Sequence, residues 1–154
     1  AFRKPAEKKI ILTLVERGGG YSRSFHIPNI NNKTLKGLIY TNVDRDSDLM
    51  TDMGHGYTMM RYHFNSHGVV EHQRRQYVDG DKHNNSAENF FSIFKRGVIG
   101  TYHHMSEAHL GRYLAEFDLR ANTRDMSDGE RAAVILKGGE GRRLTYRRVD
   151  RLAA

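Results

Sequence analysis

The residues best placed to do chemistry are a carboxylate and a cation, Glu88 and Lys95, seven positions apart within HNNSAENFFSIFKRG, residues 83–97. Ala87, Phe90, Phe91, Phe94 and Val98 recur around them at helical spacing and predict a buried stripe. At about 100° per residue, Glu88 and Lys95 stack on one line at the border of that stripe. They look out together from the edge of a core. A carboxylate held on a rigid element beside a cation suits a divalent metal ion with a phosphate next to it. A solvated helix face with no shared partner accounts for the same spacing.

A second carboxylate comes from DRDSDLMTD, residues 44–52, where Leu49 and Met50 predict a short strand and Asp52 falls at its end, just before Gly54 and Gly56. The C-terminal end of a strand in an α/β arrangement is where such sheets place ligands. Asp before Gly is also ordinary turn chemistry.

The elements that must carry these groups are legible in the pattern. Residues 9–15, KIILTLV, are nearly unbroken apolar sequence with β-branched members, which predicts a strand buried on both faces. Gly18, Gly19 and Gly20 supply a turn. Tyr21, Phe25 and Ile27 then alternate with Ser22, Ser24 and His26, the pattern of a half-buried strand that Pro28 stops. The two make a hairpin. Leu35, Leu38, Ile39 and Val43 predict a helix over residues 33–43, with Asn31 and Asn32 as capping candidates. Val69 and Val70 fit a brief edge strand, and the polar stretch QRRQYVDGDKHNN, residues 73–85, reads as a loop. Leu110, Tyr113, Leu114 and Phe117 mark a further helix capped by Ser106. Ser127 and Glu130 form a capping box that opens a last helix ending at Gly138. No repeat or low-complexity linker divides the chain, so residues 1–154 are expected to form one domain, with a basic tail over residues 1–8 and an Arg-rich tail over residues 139–154.

Composition narrows the classes. In 154 residues, 25 Lys and Arg oppose 18 Asp and Glu, a net charge of +7 with a pI near 9.8. Polyanionic partners, nucleic acid above all, are favoured. Cysteine is absent, which excludes disulfides and thiolate metal sites. No apolar run approaches the roughly 20 residues that span a bilayer, so no membrane role is expected. The pairs His63/His67 and His103/His104 lack a third ligand at zinc spacing, which argues against zinc. Tyr57, Tyr77 and Tyr102 could stack on bases, although core and rim positions are the commoner fate of tyrosine. Arg142, Arg143, Arg147, Arg148 and Arg151, set around Leu144 and Tyr146, make a plausible phosphate-contacting strip or a solvated tail.

Asn85, Glu88, Phe91, Ser92, Lys95, Arg96 and Gly97 together resemble the signature around the final acidic residue of bacterial insertion-sequence transposases of the ISXO-two-like group, which carry a DDE-type catalytic domain. The resemblance continues through GTYHHMS, RYLAEFDLRAN, DGERAAVILKG and GRRLTYR, and upstream through LVERGG, TLK and MTD. It implies an α/β, RNase H-like mixed sheet flanked by helices, with a helical C-terminal part. The reaction implied is metal-dependent cleavage of DNA at the element's ends followed by strand transfer, with two Mg²⁺ or Mn²⁺ ions. Asp52 and Glu88 would be the catalytic metal ligands. Lys95, assisted by Arg96, would hold a phosphate, and His72, His83 and Asn85 would line the active-site loop. DNA, as element ends and target, and a homo-oligomer are the implied partners. A bacterial cytoplasmic, nucleoid-associated location follows.

The chain departs from the family pattern in one respect that touches the chemistry. No Asp precedes Asp44, so the first carboxylate, which the family carries in a D-E-T-Y-type strand, has no counterpart, and the family's cysteine-bearing zinc ribbon has none either. The expectation is a fold without its first strand and a domain that is catalytically silent as it stands. A non-catalytic DNA-binding remnant and an RNase H-like nuclease or resolvase are the alternatives.

Overall fold

A computed structural model describes residues 8–18, 20–52, 57, 60–70 and 85–142. Strands β1 (Ile10–Val15) and β2 (Ser22–Ile27) form an antiparallel hairpin in the register Ile10↔Ile27 to Val15↔Ser22. Glu16 N–H donates to the Tyr21 carbonyl at 2.8 Å to close the turn, and Gly18 supplies the left-handed φ of 75° that the turn requires. Helix α1 (Asn32–Asn42) starts where Asn31 Oδ1 accepts from the Thr34 N–H at 2.8 Å. It buries Leu35 and Ile39 almost completely. Strand β3 (Asp48–Asp52) pairs in parallel with β4 (Ser66–Val70), joined by a path that includes a 3₁₀ turn at Met60–Tyr62. Both senses of pairing expected of a mixed sheet are therefore present, but among the described residues they form two separate two-stranded ladders.

Helix α2 (Asn85–Gly97) runs directly into a π-helical turn, Val98–Tyr102. Then follow α3 (Glu107–Asn122) and α4 (Asp128–Gly139), giving a mixed α/β domain with four helices among the described residues. None of them is long and apolar enough to cross a membrane. Residues 73–84 of the expected loop and most of both tails lie outside the described residues, while Asn85, expected to close that loop, is instead the first residue of α2.

β1 packs on both faces as expected and so organises the molecule, but only Leu12 of its six residues is buried and the other five are half-buried. Ile10, Leu12 and Leu14 pack into one cluster with Ile27, Leu35, Ile39, Met60 and Phe64. Ile11 and Val15, on the other face, pack against a second cluster of Phe90, Phe94, Leu110, Leu114 and Phe117. Alternation along one strand thus feeds two cores. Each fully buried Leu or Ile contributes about 1.5–3 kcal/mol, so removing β1 would cost both clusters their shared wall.

The reading of β2 as half-buried needs correction. Its serine face is covered in part by α3, with Ser24 and His26 half-buried. Ser22 is only 5 % exposed, while Tyr21, assigned to the apolar set, is 74 % exposed. Asp118 and Asn122, one turn apart on α3, occupy that side. Asp118 accepts from the Ser24 N–H (2.7 Å) and hydroxyl (2.8 Å), and Asn122 accepts from the Ser22 N–H (2.6 Å) while its amide donates to the Ser22 carbonyl (3.0 Å). Asn122 therefore does for Ser22 what a neighbouring strand would do. It satisfies both backbone groups at an edge that would otherwise be open to pairing.

Candidate metal and DNA site

Asp52 ends β3 with its side chain exposed, as its position before the glycines predicts. The strand is braced at both ends of its five-residue length. At the start, Asp48 accepts from the Ser66 hydroxyl at 2.6 Å and the Asn65 amide at 2.8 Å, and these bonds hold its carboxyl below the usual range. Next to Asp52, the buried Thr51 hydroxyl lies 2.9 Å from His67 Nε2. His67 is held below the ordinary imidazole value by burial. Asp48 is thus committed to joining β3 to β4. At about 3.3 Å per residue it sits some 13 Å from Asp52 along the strand.

Tyr57, for which base stacking and a core or rim place are the two expectations, is half-buried and packs against the first cluster. Its phenol is pushed up first by that burial and then by the Asp52 charge.

Glu88 lies in the first turn of α2 and Lys95 and Arg96 in the last, all exposed. A helix dipole favours this placement in any helix, acid at the N-terminus and base at the C-terminus, so it is not by itself evidence of a site. Two turns of helix separate Glu88 from Lys95 by about 10 Å along the axis. The helix is fixed by its predicted stripe. Phe90 and Phe94 are buried, Ala87 and Phe91 half-buried, and the Phe94 ring meets Phe117 edge-on at 5.0 Å between centroids. Gly97 has a steric reason to close the FKRG run. A Cβ there would run into the Phe117 ring, so glycine lets α2 approach α3 at that point.

The two candidate carboxylates therefore ride on different cores. β3 is anchored to the first cluster through Leu49, α2 to the second through its phenylalanines, and β1 is common to both. Both are hard oxygen donors carried on regular elements, the ligand type that Mg²⁺ or Mn²⁺ requires. Among the described residues no group of three or more His, Asp or Glu side chains is arranged to hold a metal ion.

The histidine pairs separate into other roles. His63 follows the 3₁₀ turn and lies against Tyr40, with ring centroids 5.1 Å apart, whereas His67 is in β4. The i, i+4 spacing thus does not fall on a helix. His103 and His104 are exposed after the π turn, His103 at a left-handed φ of 55°. Tyr102 is a rim residue whose hydroxyl donates to Glu116 at 2.6 Å and whose ring meets Tyr113 at 4.8 Å. Asn85 opens α2, exposed. Arg142 is exposed just after α4, and Arg143, Arg147, His72, His83 and Tyr77 lie outside the described residues.

A family model described as the ISXO2-like transposase domain matches residues 2–122. The chain belongs to that family. The matched span holds Asp52, Glu88, Lys95 and Arg96 and ends on the last residue of α3, so the transposase domain as matched excludes α4 and the terminal arginines. No curated protein and no solved structure matches the chain.

Proposed function

We propose that this domain is the catalytic domain of an insertion-sequence transposase, built for metal-dependent cleavage and transfer of DNA strands. The observation that carries the reading is that Asp52, at the C-terminal end of a strand, and Glu88, on a packed helix, both fall within the matched span. Asp52 and Glu88 would hold Mg²⁺ or Mn²⁺, with their carboxylates within about 8 Å of each other to serve a two-metal site. Such ions, when bound, supply Lewis-acid activation of a phosphodiester. The remaining work falls to the protein's own groups. Lys95, with Arg96, holds a phosphate by charge. Arg142, Arg143 and Arg147 contact the DNA backbone, His72 and His83 line the loop leading to Glu88, and Asn85 stands where that loop enters α2.

The fold proposed for this work is RNase H-like. A hairpin and a parallel pair are each smaller than sheets that stand alone, and they share one cluster through Leu12, Leu49 and Leu35. One strand inserted between β1 and β3 would join them into a single mixed sheet. That strand is also where the third carboxylate would belong. A polypeptide of these 154 residues contains no Asp before Asp44. Two carboxylates cannot complete the octahedral shell of Mg²⁺ or share a second ion. Losing that charge removes several kcal/mol of transition-state stabilisation, so strand transfer by this polypeptide should be undetectable.

The test compares the 154-residue polypeptide with one extended upstream by a strand bearing a family-type first Asp, on pre-cut element ends with Mg²⁺ or Mn²⁺. Activity is expected only in the extended form, and there it should fall at least 100-fold in D52N and in E88Q. Equal activity in both polypeptides would overturn the ligand count. The net charge of +7 is met equally by a second reading, DNA binding without catalysis. It predicts weak duplex binding that falls steeply with salt and is unchanged in D52N.

A further inference from the structure

Away from Asp52 and Glu88, three cations gather on aromatic rings. Lys36 Nζ of α1 lies 5.1 Å from the Tyr40 ring centroid, and Arg45 Cζ lies 3.6 Å from the same centroid and 5.7 Å from that of Phe64. Phe64 and His63 in turn flank Tyr40, with centroids at 5.8 Å and 5.1 Å. Beyond them Arg61 covers the ring of Tyr62 at 4.6 Å, and Tyr62 is itself 63 % exposed.

Among the described residues none of the three cations forms an ion pair. Asp44 and Asp46 flank Arg45 in sequence without pairing with it, and Asp44 instead accepts the Asp46 N–H at 3.0 Å. Asp48 is held by Ser66 and Asn65. Among the described residues the positive charge is therefore not neutralised. Its effect is felt by His63, whose imidazole is held below its ordinary value by burial first and then by Lys36 and Arg45.

Seating the Arg45 guanidinium on the Tyr40 ring fixes its direction without using its N–H edge, while Arg61 gives one N–H to the Tyr62 hydroxyl and keeps the others. Less side-chain freedom is then lost when either meets a phosphate. A surface of this make-up, fixed cations without an ion pair among the described residues and an exposed aromatic beside them, fits a sugar–phosphate backbone.

We infer that Lys36, Arg45 and Arg61 form a phosphate-contacting face for DNA, with Tyr62 at its margin, separate from Lys95, Arg96 and the terminal arginines. This rests on the transposase reading, since that reading makes DNA the partner. The face binds without reading sequence, because phosphates carry none.

The experiment is fluorescence anisotropy of the 154-residue protein with a labelled duplex of mixed sequence at several salt concentrations. Each phosphate contact contributes about −0.9 to the slope of log K against log salt. K36Q/R45Q/R61Q should reduce the magnitude of that slope by about 2–3 and weaken binding at least tenfold at low salt. R45K, which keeps the charge, should leave the slope within about 0.5 of the parent. If the triple variant does not fold, as judged by circular dichroism, K36Q/R61Q, which changes the half-buried Lys36 and the exposed Arg61 and keeps Arg45 on its ring, should still lower the slope by about 1–2. A folded variant whose slope and affinity match the parent overturns this inference and leaves the transposase reading standing. No binding by the parent protein at low salt overturns DNA as the partner, and the inference with it.

Discussion

Helices α3 and α4 are neighbours in the chain and opposites in the fold. α4 has the better start, with Ser127 and Glu130 closing a full capping box, whereas Ser106 occupies the N-cap position of α3 without making the cap bond expected of it. Yet α3 buries Leu110, Leu114 and Phe117 and joins β2 through Asp118 and Asn122. α4 buries nothing, and Val134, Ile135 and Leu136 are 41, 52 and 76 % exposed. Its described tie to the preceding turn is Arg131, which donates to the Thr123 carbonyl at 3.1 Å. A cap decides where a helix begins. What its face meets decides whether it belongs to the core, and the family match stops where that contact stops.

The sharpest test sets one leucine from each helix against the other. Leu114→Ala should cost about 2–5 kcal/mol in urea unfolding, because the side chain is 1 % exposed and its removal leaves a cavity. Leu136→Ala should stay within about 0.5 kcal/mol. Comparable losses at the two sites would mean that α4 is docked after all. A smaller effect is expected at Asn122→Ala, about 1–3 kcal/mol, since it strands the Ser22 N–H and carbonyl at a part-buried edge. Amide exchange at Ser22 should quicken in that variant, and unchanged protection there would show that the strand edge has another partner.

Smaller again is Ser127→Ala, about 1 kcal/mol, confined to α4. The helical signals of residues 128–139 should weaken by NMR while the midpoint of global unfolding holds. The least effect concerns pH. The Tyr102 hydroxyl, and then Arg120, hold Glu116 below its ordinary value. A depressed folded value means the contribution is present above the unfolded value, near 4.3, and is lost as pH falls through the folded one. Tyr102→Phe should therefore make the acid-side fall in α3 stability shallower, with little change at pH 7. An unaltered acid limb would count against this bond.

Much of the scaffold was legible because its signals are local. The hairpin, the Asn31 cap, the phenylalanine stripe of α2 and the strand ending at Asp52 each follow from a few adjacent residues. What escaped depends on partners far along the chain. The serines of β2 read as solvent-facing because nothing near them announces Asp118 and Asn122, about 100 positions later. The stacking of Arg45 on Tyr40 spans only five positions, yet it depends on how the turn after α1 directs the side chain, which no periodicity encodes. The roles proposed for Asp52 and Glu88 come from the resemblance, since spacing alone favours turn chemistry for the one and a solvated helix face for the other.

The distance in sequence between β2 and the side chains that cover its edge has a consequence during synthesis. The hairpin is complete when residue 27 has been made, but Asn122 is added 100 residues after Ser22. At about 5–20 residues per second, the ribosome leaves that edge uncovered for roughly 5–20 s. During that interval the backbone groups of Ser22 and Ser24 are a template for any extended chain nearby, and a lone hairpin is too marginal to hide them. The nascent protein is therefore most vulnerable to mispairing after its first strands exist and before its third long helix emerges. Slowing translation between those points should lower the yield of soluble protein more than slowing it after α3.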